Sequence, residues 1–195
     1  MRPDDLATLP PDLPVPVDDG ACDHLAGLAL PPIALVATDG SVVRLDRPDP
    51  TDMARTVVFA YPRTGRPDEE PPGGLIAWNA IPGARGCTPQ ACAYRDRYAE
   101  LRAAGARVFG LSTQDPAYQR EMAERLELPF PVLSDERLEL TRALGLPTFT
   151  TEGLTLHKRH TLIIRAGRIE HVLYPVFPSD RDADHVLAWL TAHPA

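Results

Sequence analysis

The chain has 195 residues, 44% hydrophobic and 24% charged, with a formal net charge of -7 and a pI near 5.3. That length suffices for one domain with a real core, and the acidity argues against nucleic acid or an anionic membrane as partner, since both demand a basic face. No apolar run approaches the ~18 residues of a membrane span, and the start lacks a basic region followed by an apolar stretch, so a cytoplasmic protein with no secretory signal is expected.

Residues 1–24 are mostly proline, aspartate and small side chains, a composition that orders only by docking on a body. They are expected to form an extended arm, with residues 25–195 as the folded domain. Cys22 lies in this arm and reads as an idle or packed cysteine, with a reserve or intermolecular thiol as the alternative. IALVATDGSVVRL alternates apolar residues around Asp39-Gly40, a hairpin signal. TVVFAY, ended by Pro62, and ARVFGLS are short continuous apolar runs, as buried central strands would be. A helix between them makes a crossover unit with the two strands parallel. Asp115-Pro116 opens a helix to about Leu126, FPVLSD is a strand, and ERLELTRALG is a helix closed by Gly145. HTLIIRAGRIEHVLYPV reads as two strands around Ala166-Gly167, and a last helix from Asp182 to Ala192 puts Ala183, Val186, Leu187 and Leu190 on one face. The order predicts an α/β domain, a mixed central sheet flanked by helices with an N-terminal β-hairpin.

The helix between the two central strands carries GCTPQACAYRD, with Cys87 and Cys92 in C-x4-C spacing. Pro82, Gly83 and Gly86 mark a loop that ends at Cys87, and Thr88 and Pro89 read as N-cap and first residue of a helix running to about Leu101. A sulfur at a helix N-terminus meets unpaired backbone N–H groups and the positive end of the dipole, which favours the thiolate. Arg85 would add to this if it turned inward. Five residues along an ideal helix separate Cα atoms by roughly 8.6 Å, beyond the ~7 Å a disulfide tolerates, so a Cys87–Cys92 bond requires the first turns to unwind. Three cysteines are an odd, sparse set, pointing to catalytic or sensing thiols rather than a disulfide framework. Zinc fits poorly, because no second clustered Cys/His pair accompanies them, and no metal or other cofactor is expected.

GCTPQACAYRD resembles the active-site stretch of the peroxiredoxins of the bacterioferritin-comigratory (Q-type) class. FGLSTQDPAYQREMAERLELPFPVLSD is similar to that family's following strand, helix and strand, and KRHTLIIRAGRIEHVLYPV to its closing hairpin. The likeness runs from about Leu25 to Leu190 and implies a thioredoxin-like fold of the peroxiredoxin type. By this resemblance Cys87 attacks peroxide, Cys92 resolves the product, and Arg159 faces the attacking sulfur. Gln90 stands where the class often has Glu. The family's Pro-x-x-x-Thr-x-x-Cys pattern is broken, since Ala84 stands three before Cys87. RPDEEPPGGLIAWNAIPGAR reads as an insertion after VVFAYPRTG, which makes Pro62 the family's proline and Thr64 the residue that returns in space to supply the hydroxyl. Thr88 is a second candidate. The bland readings are a core cysteine for Cys92, a surface ion pair for Arg159 and local hydrogen bonding for Gln90. Arg95 and Asp96 read as structural ions, and His157, His160 and His171 as ordinary surface or sheet residues.

The expected activity is therefore a thiol peroxidase acting on hydrogen peroxide or alkyl hydroperoxides, recycled by a thioredoxin-like reductant, in a monomer or homodimer. A thiol–disulfide oxidoreductase or biosynthetic thiol oxidase on the same fold, and a redox-sensing binding protein, are the alternatives. The C-x4-C spacing argues against a thioredoxin-type C-x-x-C role.

Overall fold

The structure, a computed structural model, describes residues 4–47 and 53–194. A single helical turn, α1 (Asp4–Ala7), opens the N-terminal segment, which then runs without regular structure to a series of turns from Ala21. Some of its apolar residues pack on the body, with Leu6, Cys22 and Leu25 buried, while Val15 and Val17 are exposed.

The Asp39-Gly40 signal produces the hairpin of β1 (Ala34–Ala37) and β2 (Val42–Arg44). Asp39 Oδ1 accepts from the Ser41 amide at 2.9 Å and the Ser41 hydroxyl at 2.6 Å, while Gly40 takes φ 84°, a conformation that glycine enters without steric cost. The two apolar runs are β3 (Arg55–Ala60) and β4 (Ala106–Ser112), paired in parallel, and every residue of β3 is buried. With β5 (Val132–Ser134), β8 (His160–Arg165) and β9 (Arg168–Leu173) they complete a mixed seven-stranded sheet in the order β2-β1-β5-β4-β3-β8-β9.

Alternation along the strands splits the core in two. Val58, Ala60, Leu162 and Ile164 face a cluster with Leu140 and Leu144 of α6 (Glu139–Leu144), and Cys22 and Leu25 lie in it. Val57, Phe59 and Ile163 face the opposite cluster, which holds Cys87, Ala91 and Tyr94 of α3 (Cys87–Asp96), Met122 of α5 (Pro116–Arg125) and Val186 and Leu190 of α7 (Asp182–Ala192). The Phe59 and Tyr94 rings stack with centroids 4.2 Å apart, fixing α3 against β3.

Three features differ from the sequence reading. The cysteine helix does not run unbroken to Leu101; it ends at Asp96, and after Arg97 a second helix, α4 (Tyr98–Ala103), carries Leu101 into the core. The apolar pattern continues through this break, so it gives no sign of one residue leaving helical geometry. The inserted stretch forms a helix, α2 (Gly74–Ala80), and residues 148–157 form a separate hairpin, β6 (Thr148–Thr151) and β7 (Leu154–His157), turning at Glu152 and Gly153, both at positive φ. These two unread elements need each other: Trp78 of α2 packs with Ala84, Leu156 and Phe149 in a third, small cluster. Of the histidines read as surface or sheet residues, His157 and His160 are sheet residues, ending β7 and opening β8, and both are fully buried. His157 Nε2 meets the Thr141 hydroxyl at 2.7 Å, His160 Nδ1 the Lys158 carbonyl at 2.8 Å, and burial pushes the rings down to about 3 and about 4, so both are neutral.

Candidate active site

Cys87 is the first residue of α3, at the carboxyl end of the central strands, and is 5% exposed. The residue that turns loop into helix is Gly86, at φ 110° and ψ 21°, and Thr88 does not cap: it lies inside the first turn, with no cap bond from a side chain. Threonine is a good N-cap by type, but the chain can enter this helix only through a left-handed residue, and that selects glycine. Space selects it too, because a Cβ on Gly86 would fall 2.2 Å from Ser179 Oγ and 2.9 Å from Leu9 Cδ2. Gly86→Ala is therefore expected to cost about 2 kcal/mol or more and to slow alkylation of Cys87. Denaturant unfolding and iodoacetamide kinetics measure both, and wild-type values in each would show the helix entry to be tolerant.

Arg159 reaches the sulfur from the short link between β7 and β8. Its Nη2 donates to Cys87 Sγ at 3.4 Å and is shared with the carbonyls of Gly83, Ala84 and Arg85 at 3.2, 3.3 and 3.3 Å. The Cys87 thiol lies 3.8 Å from the Ala84 carbonyl. The same guanidinium thus fixes the loop before the helix and addresses the sulfur at its end. Its Nη1 donates to Gln90 Oε1, and Gln90 Nε2 donates to Asp182 Oδ2 at 2.7 Å. Tyr94 and Thr161 hydroxyls donate to that same oxygen at 2.9 and 2.7 Å. Burial pushes the Asp182 carboxyl up, against these three donors and the nearby Arg159 charge, which pull it down.

Sγ opens on a narrow cavity of about 40 Å³ lined by Leu6, Thr64, Trp78, Ala84, Thr88 and Tyr118, among others. Thr64 is fully buried, and its hydroxyl has no partner among the described residues. Its backbone is clamped by Gln114, whose Oε1 accepts from the Thr64 amide at 2.7 Å and whose Nε2 donates to the Thr64 carbonyl at 3.2 Å. The stretch read as an insertion lies between Thr64 and Cys87 in the chain, and the two residues line one cavity.

The sequence pattern of the Redoxin family matches residues 23–187. The chain belongs to that family. Peroxiredoxin Bcp of Escherichia coli (strain K12) is 34% identical over 176 residues, covering 86% of this chain and 96% of that protein. Chloroplastic peroxiredoxin Q of Gentiana triflora is 35% identical over 106 residues, 54% of this chain and about half (48%) of the relative. Among solved structures, peroxidoxin BcpB from Mycobacterium tuberculosis superposes with a TM-score of 0.68 at 25% identity, covering 88% of this chain and 99% of that one. The chain is a peroxiredoxin of the Bcp/Q class, an enzyme of the thiol peroxidase type, on the thioredoxin-like fold its sequence implied.

Within this peroxiredoxin, Cys87, Arg159, Gln90 and Thr64 meet in one place, and Gln90 spans Arg159 and Asp182 rather than bonding locally. Cys92 does not join them. It is half-buried on the other side of α3, in a groove with Ala7, Leu9 and Asp96, and burial pushes its thiol up. Cys22 is 7% exposed in the far core cluster, its thiol pushed up to about 12 by burial and the neighbouring aspartates. Arg95 pairs with Asp96 at 2.9 Å and donates to the Leu126 carbonyl at 3.0 Å, the structural role expected of it. Asp182, Tyr94 and Thr161 were missed as site residues. Asp182 in SDRDAD reads as an acidic helix start, and nothing in the pattern signals that it turns inward. Among the described residues no group of three or more His, Cys, Asp or Glu could hold a metal, and no helix is long and apolar enough to cross a membrane.

Proposed function

We propose that this peroxiredoxin reduces peroxide through Cys87 and resolves it through Cys92. The thiolate of Cys87 bonds the terminal oxygen of hydrogen peroxide or an alkyl hydroperoxide; the O–O bond breaks, and the leaving oxygen takes a proton and departs as water or alcohol. The carrying observation is Arg159 Nη2 at 3.4 Å from a sulfur that begins a helix, because charge and helix N–H groups are then fixed where negative charge develops. The unpartnered Thr64 hydroxyl supports a further hydrogen bond to the bound oxygens. A cavity of about 40 Å³ suits hydrogen peroxide and the small end of a hydroperoxide.

The resulting sulfenic acid is attacked by Cys92, forming the S–S bond and releasing water. Both sulfurs belong to α3, so its first turns unwind before they meet, and the same motion frees Cys92 from the burial that keeps it a thiol. A thioredoxin-like dithiol then supplies two electrons to regenerate both thiols. One chain carries the cycle, as a monomer or within a homodimer.

Peptide mapping after one equivalent of peroxide tests this reading. The expected product is a monomer-sized species with Cys87 linked to Cys92 and faster hydrogen exchange over residues 87–93. A Cys22–Cys87 peptide with Cys92 still alkylatable would overturn the assignment of Cys92.

A further inference from the structure

Asp182 is the first residue of α7, where an exposed acid would be ordinary, since it meets the positive end of the helix dipole. Here the side chain points inward and is fully buried. Its Oδ2 collects donors from three other places in the fold: Gln90 and Tyr94 on successive turns of α3, and Thr161 on β8. The consequence falls on Gln90. An amide has one donating and one accepting end, and the carboxylate fixes which is which: Nε2 faces Asp182, so Oε1 faces Arg159 Nη1. A reversed amide would set an NH₂ group against the guanidinium and an oxygen against the carboxylate, losing both bonds. With Nη1 held by Oε1, the planar guanidinium is oriented so that Nη2 meets Cys87 Sγ.

We propose that Asp182 is a positioning residue for the peroxidatic reaction, ordering Gln90 so that the amide in turn orients Arg159 on Cys87. It rests on the reading of Cys87 as the attacking sulfur. A carboxylate at position 90 could hold Arg159 directly and would need nothing behind it. A neutral glutamine is directionless alone, and the accepting Oδ2 of Asp182 one residue further out supplies the direction.

The test is a double-mutant cycle with two isosteric changes, Gln90→Glu and Asp182→Asn. Gln90→Glu alone sets two carboxylates against each other with no donor between them, and the rate constant with hydrogen peroxide should fall about tenfold or more. Asp182→Asn alone weakens the acceptor that orders Gln90 and should slow the reaction severalfold. The double variant places the charge next to Arg159 with an amide behind it. It should react faster than Gln90→Glu, within about threefold of wild type, with the rate of Cys87 alkylation by iodoacetamide restored alongside. A purely structural role for Asp182 predicts no such rescue. Asp182→Asn at the wild-type rate, or a double variant no faster than Gln90→Glu, would overturn the proposal; thermal melts of all four proteins separate either result from unfolding. Failure of the underlying reading is distinguishable, because peroxide would then oxidise a sulfur other than Cys87 in the wild type.

Discussion

Cys87→Ser is expected to reduce peroxide turnover to the uncatalysed background while leaving the fold intact. The substitution is nearly isosteric, and the sulfur contributes little to holding its neighbours: Arg159 Nη2 keeps the carbonyls of Gly83, Ala84 and Arg85, and Nη1 keeps Gln90. What disappears is the proposed nucleophile, since a serine hydroxyl is not ionised near neutral pH and has no comparable reactivity toward an O–O bond. Steady-state peroxide consumption and circular dichroism should be measured on the same sample. Residual turnover at the wild-type level in a folded variant would move the chemistry to another residue.

Arg159→Met should have the next largest effect, a fall of roughly ten- to a hundredfold in the rate constant for peroxide, the equivalent of one or two charge-assisted hydrogen bonds. Removing a fixed cation beside Sγ also removes a partner for negative charge on the sulfur, so alkylation of Cys87 by iodoacetamide at a fixed pH should slow. Arg159→Lys should recover only part of the loss, because a single ammonium cannot serve Gln90, the loop carbonyls and the sulfur together. An unchanged alkylation rate in Arg159→Met, with an unchanged peroxide rate, would make the residue a fastener of the 83–85 loop and nothing more.

The continuous apolar runs at 56–61 and 106–112 reveal the centre of the sheet because burial on both faces leaves no other composition for those strands. The meeting of Cys87 with Arg159 was a different matter. Strand parity put Arg159, Thr161 and Ile163 together but did not say which face they served; family resemblance chose it, and the side chains then fell on the α3 and α7 side. Thr88 misled because capping preference is local, whereas the need for glycine at position 86 comes from Ser179 and Leu9, distant in sequence. The helix α2 and the β6–β7 hairpin escaped notice for a related reason. Each is short and weakly patterned alone, and each is held by Trp78 lying on Phe149 and Leu156, about seventy residues away. Asp182 carries the general lesson for polar networks: inward and outward aspartates at a helix start look alike until the fold supplies their donors.

The Trp78 cluster also gives the enzyme an optical gauge. Trp78 packs on Ala84, three residues before Cys87, and the Ala84 carbonyl is bonded to Arg159. If the first turns of α3 unwind as proposed, that carbonyl is disturbed, so the indole emission of Trp78 should shift as the proposed disulfide forms and return on reduction. The chain's other tryptophan, Trp189 near the end of α7, is stacked with His171 and His193, neither of them on α3, and supplies the background during the same turnover. Stopped-flow emission would then time the opening of the helix separately from the consumption of peroxide, without any label.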